Sequence, residues 1–227
     1  MGYVLKQNKA ITIDVLKSVI NEFEKEISKY EEDYKKAWEK ICGLVYVVIT
    51  FHASLRENKG LKVHFSALEK YWEKGNYVDT KSQRGAKSQH VIVPIYGRFK
   101  GEQGKRCHLL PYANVTQSRI NIRVSINIMR LARKILGIKS IWLFCNLKGN
   151  KMKFDDMNDV ILDMIEQVKE KDDNNKLELN EYNMREEFSI NCSFRRGSST
   201  RAQVLEISTE IIEMVNQWKK ICLHWLK

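Results

Sequence analysis

The stretch HVIVPIYGRFKGEQGKRCHLLPY, residues 90–112, decides how the chain folds, because it carries the one clear β signal in an otherwise helical sequence. Two apolar runs, His90 to Tyr96 and Arg106 to Tyr112, flank a connection rich in glycine and cations. That pattern predicts an antiparallel hairpin. Pro94 and Pro111 inside the runs restrict both strands to edge or terminal positions, since proline cannot donate to a central ladder.

Outward from the hairpin the period changes to that of helices. On the N-terminal side, Ile13, Val15, Leu16, Val19, Ile20 and Phe23 recur near 3.6 spacing within a helical stretch 11–40. A run of charges from Glu24 predicts a solvated helix that breaks near Ser28. Ala37 to Leu55 is strongly apolar, as a buried helix is, and ends at Arg56. A short helix over 65–76 stops at Gly75, and 81–88 reads as a loop. Beyond the hairpin come a helix over 121–136 carrying Arg123, Arg130, Arg133 and Lys134, an amphipathic helix over 153–170, and a last helix from Ser198 to Trp218. The predicted fold class is mainly α with a small antiparallel β-hairpin (α+β). Residues 1–36 read as an N-terminal helical extension and 37–227 as the main domain.

Composition supports this reading and narrows the partners. Only 2 prolines and 11 glycines occur, which disfavours a turn-rich sandwich, and 43% hydrophobic residues suffice for a real core. The formal charge of +11 favours polyanionic partners, because each neutralised phosphate releases condensed counterions. The five cysteines are scattered, with no CxxC pair, so neither a zinc site nor a disulfide framework is expected and the thiols imply an intracellular setting, nuclear or cytoplasmic. His52, His64, His90, His108 and His224 form no metal-binding pattern, and GRFKGEQGK is not a nucleotide-binding loop. We therefore expect no metal and no cofactor. No apolar run is long enough to span a bilayer, so no membrane partner is expected.

Four elements then stand in a fixed order: Arg56 after a buried helix, Lys100 in the hairpin turn, Arg195-Arg196 opening a helix, and Trp218, which follows Arg195 by 23 residues. In ASLRENKG, FKGEQGKRCHLLPY, CSFRRGSSTRA and NQWKK the chain resembles the catalytic domain of the tyrosine recombinase/integrase family, and more closely its divergent forms in eukaryotic mobile elements. The resemblance spans about Ala37 to Trp218. It implies two arginines, Arg56 and Arg195, that clamp the scissile phosphate, Lys100 that protonates the leaving oxygen, and Trp218 that positions the phosphate. Paired guanidinium forks suit the charge that develops on two non-bridging oxygens. Arg98, Lys105, Arg106, Arg196 and Arg201 would add phosphate contacts to duplex DNA, on which a homo-oligomer is possible.

The sequence also departs from the family pattern. Cys192 stands where the box histidine is expected, Lys59 replaces an acidic residue, and no tyrosine occurs after Tyr182. The resemblance thus implies a DNA binder, incomplete at its C-terminus and degenerate in cutting. Two alternatives stay open: an active recombinase whose tyrosine comes from a longer C-terminus or a partner, and a general nucleic-acid-binding helical protein.

Overall fold

The computed structural model describes residues 8–31, 33–55, 60–73, 90–97, 106–190 and 192–216. In chain order the elements are α1 (Ile13–Ser28), α2 (Tyr34–His52), α3 (Phe65–Glu73), β1 (His90–Gly97), β2 (Arg106–Ala113), α4 (Ile122–Ile135), α5 (Phe154–Glu170), α6 (Met184–Glu187), α7 (Ser193–Val204) and α8 (Thr209–Asn216). The chain is mostly helical with one two-stranded antiparallel sheet.

The apolar segment read from the sequence is the centre of the molecule. Every residue of α2 from Ile41 to Phe51 is buried, as expected of a helix that is hydrophobic all round. The helices α1, α4, α5 and α7 cover it on its several sides. Gly43 marks where two of them meet: a Cβ there would come within 2.6 Å of the Phe23 ring on α1 and 3.1 Å of Val160 on α5. Thr50, the polar exception within this run, returns its hydroxyl proton to the Tyr46 carbonyl at 2.6 Å, so its own donor is paired. α1 ends at Ser28, where the sequence predicts a break, and Glu31 adopts φ 40° just beyond it. Near the other end of α5, the buried carboxylate of Glu22 on α1 is bonded to Lys171.

The hairpin pairs His90 with Ala113 through to Gly97 with Arg106. Tyr96 donates its backbone N–H to Lys62 at 3.3 Å, away from β2. Pro94 lies two residues earlier and faces the same way, so its missing N–H costs the ladder nothing. Val63 bridges to Ile95 on that outer edge.

The last helix differs from its sequence reading. In place of one helix over 198–218, α7 begins at Ser193 and stops at Val204, and α8 begins at Thr209. Glu206 sits at φ 57°, Glu206 N–H donates to the Gln203 carbonyl and Ile207 N–H to that of Ala202. This is a Schellman stop made without glycine. The Ser208 hydroxyl then accepts from Ile211 N–H and starts the next helix. Of the apolar residues in this stretch, Val204, Leu205, Ile207 and Ile211 are exposed, while Ile212 is buried.

The segment after α4 is pinned to the core by Trp38. Its indole Nε1 donates to the Cys145 carbonyl at 2.6 Å, and the side chain is fully buried. Trp38→Phe keeps the ring and removes the donor, so it is expected to cost about 1–3 kcal/mol of stability, read as a lowered midpoint in urea unfolding.

Candidate functional site

The site grows from two helix ends that pack together. α2 ends in a Schellman motif: Ser54 takes φ 51°, its N–H donates to Phe51 at 3.1 Å, and Leu55 N–H reaches back to Thr50 at 3.0 Å. Leu55 is buried and anchors the turn. Tyr112 of β2 braces the same turn by donating its hydroxyl to the Ile49 carbonyl at 3.1 Å. Burial holds that phenol well above the ordinary tyrosine range.

Against this end lies the first half of α7. At Gly197 a Cβ would meet the Ile11 carbonyl oxygen at 1.8 Å and the Phe51 ring at 3.0 Å. Only glycine allows so close an approach of α7 to the segment 8–12 and to α2. That segment is itself fastened to the start of α7: Ile11 N–H donates to Ser193 O at 3.0 Å, and an Arg196 guanidinium nitrogen donates to the Asn8 carbonyl. The Ser193 hydroxyl accepts from Ser189 N–H at 3.1 Å. Phe194 is buried, and Arg195 and Arg196 emerge half-exposed from a first turn that holds no acidic residue. Two cations beside the positive end of a helix are mildly unfavourable without an anion. Further along α7, Arg201 is half-buried with its Nε buried and unbonded among the described residues.

Of the residues expected from the sequence, Arg195, Arg196 and Arg201 are therefore on one helix, beside the end of α2. Arg106 opens β2 opposite Gly97, which fixes where the hairpin connection starts and ends. Arg56, Arg98, Lys100, Lys105 and Trp218 lie outside the described residues. Cys192 occupies the N-cap of α7, half-buried, and makes no side-chain capping bond. Tyr182 is packed rather than presented: its ring lies 4.5 Å below the Lys9 ammonium and edge-on to Phe188.

Two features of this region were not read from the sequence. Near the end of the hairpin next to its connection, His64 stacks on Tyr96 at 4.4 Å and meets Trp142 edge-on at 4.7 Å. Partial burial, and then the nearby Lys151, hold the His64 imidazole below its ordinary range. These three residues are far apart in sequence, and no local pattern joins them. The other is Arg133, 1% exposed, whose guanidinium donates to the carbonyls of Ser140 and Trp142 and lies 4.0 Å from the centre of the Phe65 ring. Its spacing from Ile126 and Met129 was the available clue, because it places Arg133 on the inward face of α4.

Comparison with other proteins bears on the fold. No protein-family model matches the chain, and no curated protein matches its sequence. Its structure is similar to that of the XerH site-specific recombinase bound to palindromic difH substrate in a post-cleavage complex, with TM-score 0.60 and 12% identity, over 95% of this chain and 48% of that one. The pre-cleavage complex of XerH with difH gives TM-score 0.57 and 12% identity, over 92% of this chain and 47% of that one. The chain thus has a fold like the tyrosine recombinase catalytic domain, and it spans about half the length of the recombinases it matches.

The end of α2 also carries a titrating group. Burial holds the His52 imidazole below its ordinary range, opposed by its Nδ1–H bond to the Val48 carbonyl at 2.7 Å. Its folded pKa is therefore below the unfolded one, so the folded state resists protonation. Stability from this residue is complete above the unfolded value of about 6.5 and is lost as pH falls below it toward the folded value. We expect the thermal midpoint to fall between pH 7 and pH 5.5 in the wild type, and to fall less in His52→Gln.

Proposed function

We propose that this chain binds duplex DNA through its phosphates, in the manner of the tyrosine recombinase catalytic domain. The observation that carries this reading is the seating of Arg195 and Arg196 in the first turn of α7, locked through Gly197 against the end of α2 that leads into Arg56. A phosphate there would meet guanidinium forks and the positive end of a helix together. The fold likeness to recombinases whose structures hold DNA substrate, and the formal charge of +11, support the same reading. On this account Arg56 and Arg195 grip one phosphate, Lys100 reaches it from the hairpin, and Trp218 packs beside it. Arg98, Lys105, Arg106 and Arg201 hold the flanking backbone.

Contacts of this kind position the protein on DNA without reading bases, so binding should be salt-sensitive and weakly sequence-selective. One donor of Arg196 is committed to the Asn8 carbonyl, which leaves the rest of its fork for a phosphate. We read the chain as a divergent member of this group, of the mobile-element kind, that binds without cutting. Cys192 stands where the resemblance expects a histidine, so the box offers no imidazole to the phosphate.

Fluorescence anisotropy with a labelled duplex tests the reading. Arg195→Ala and Arg56→Ala are each expected to weaken binding about tenfold or more and to lower the salt slope by about one. Unchanged affinity in both variants contradicts the site. A nicked duplex, which traps covalent intermediates, is expected to give no covalent protein–DNA band on a denaturing gel.

A further inference from the structure

α4 is apolar on two sides. Ile126, Met129 and Ala132 face the core and are fully buried. Around the helix from them, Val124, Ile128, Leu131 and Ile135 recur at spacings of four, three and four. Val124 is 49% exposed, Leu131 47% and Ile135 58%, and Ile128 is half-buried. This is the alternation of a coiled-coil seam, which buries its side chains only when a second helix lies along it. With 14 residues, α4 offers a seam about 21 Å long.

Beside the seam runs a row of polar side chains, Arg123, Asn127, Arg130 and Lys134, and α4 contains no acidic residue. Glu69 of α3 engages Arg130 at two points, and Arg123 and Arg130 both lie over the Trp72 ring, at 5.0 and 4.3 Å. Lys134 and Lys139 have no carboxylate partner among the described residues. At this end of the row a cavity of about 610 Å³ opens between α3 and α4, lined by Phe65, Leu131 and Ile138, by these two lysines and by the Glu69–Arg130 pair. An apolar track from Val124 to Ile135 is thus bordered by a polar row in which Glu69 neutralises Arg130, while Lys134 and Lys139 at its far end have no such carboxylate among the described residues.

We propose that this groove docks an acidic amphipathic helix from a partner protein. Apolar anchors of that helix would lie on the seam, with Leu131 at its centre, and its carboxylates would face Lys134 and Lys139. Helix-in-groove recognition uses anchors at this spacing. Duplex DNA fits the surface less well, since phosphate contact would leave the exposed aliphatic side chains wet. A second copy docked through the same face about a two-fold axis would set each cationic row near its mate.

The test uses the full chain and a fluorescein-labelled synthetic helix of about 18 residues, with leucines at the a and d positions and glutamates beside them. A control peptide carries lysines in place of the glutamates. The acidic peptide is expected to bind at least about tenfold more tightly than the control, and Leu131→Ser with Ile135→Ser to weaken it about tenfold or more. Lys134→Glu should reverse the preference between the two peptides. Both serine positions are exposed, so the thermal midpoint serves as the control for folding. Equal binding of the two peptides, or binding unaffected by the serine pair, overturns the proposal. So does a concentration-dependent dimer in sedimentation that the serine pair abolishes, which would assign the face to a second copy. Competition by duplex DNA that is lost in the serine pair would assign it to nucleic acid. None of these outcomes depends on Arg195, so this groove and the phosphate site stand or fall separately.

Discussion

From Ile41 to Phe51, α2 presents no face that can be left in water, and the arrangement of the other elements follows from covering it. A helix apolar on every side needs neighbours all round. Three of them approach so closely that glycine is needed at the contact or a ring must fit against it. Gly43 admits α1 and α5, and Gly197 admits α7. The site inherits its order from this packing. The arginines of α7 stand beside the end of α2 because the core can be closed in that way, and a Schellman turn at Ser54 ends that helix. Phosphate binding would use a geometry that burial of α2 has already fixed, which is the preorganisation that makes electrostatic contacts effective.

What could be read from the sequence was whatever rests on short-range period. The hairpin, the break after Ser28, the buried α2 and the inward face of α5 are all carried by alternation or by 3.6 spacing over consecutive residues. The last helix misled for the same reason. Val204, Leu205, Ile207 and Ile211 have helical spacing, yet a left-handed Glu206 ends one helix and Ser208 begins another, and neither residue type announces a stop as glycine or proline does. Of the candidate site, the Arg195-Arg196 turn was legible because the box and its order are local. The grip of segment 8–12 on α7 joins residues far apart in sequence, and nothing local encodes it. The His64–Tyr96–Trp142 cluster is hidden in the same way.

α4 shows how composition can mislead even when an element is correctly placed. Its cations look like one solvated set, but they divide three ways. Arg133 is spent inside, holding carbonyl groups of the segment after α4. Arg123 and Arg130 are held at α3 by Trp72 and Glu69. Lys134, together with Lys139 beyond the helix, faces the open cavity. The net charge of the chain is therefore not one footprint. Part of it serves the fold, part stands in the first turn of α7, where we propose that phosphate binds, and part borders an exposed apolar face of α4.

Hydrogen–deuterium exchange with and without duplex DNA tests the central claim most directly, because it reports where on the chain the duplex sits. The account predicts slowed exchange in the first turn of α7, in the 53–56 turn after α2 and in the hairpin, with α4 unchanged. Protection confined to α4 or to α5, with the first turn of α7 exchanging as in the free protein, would contradict it.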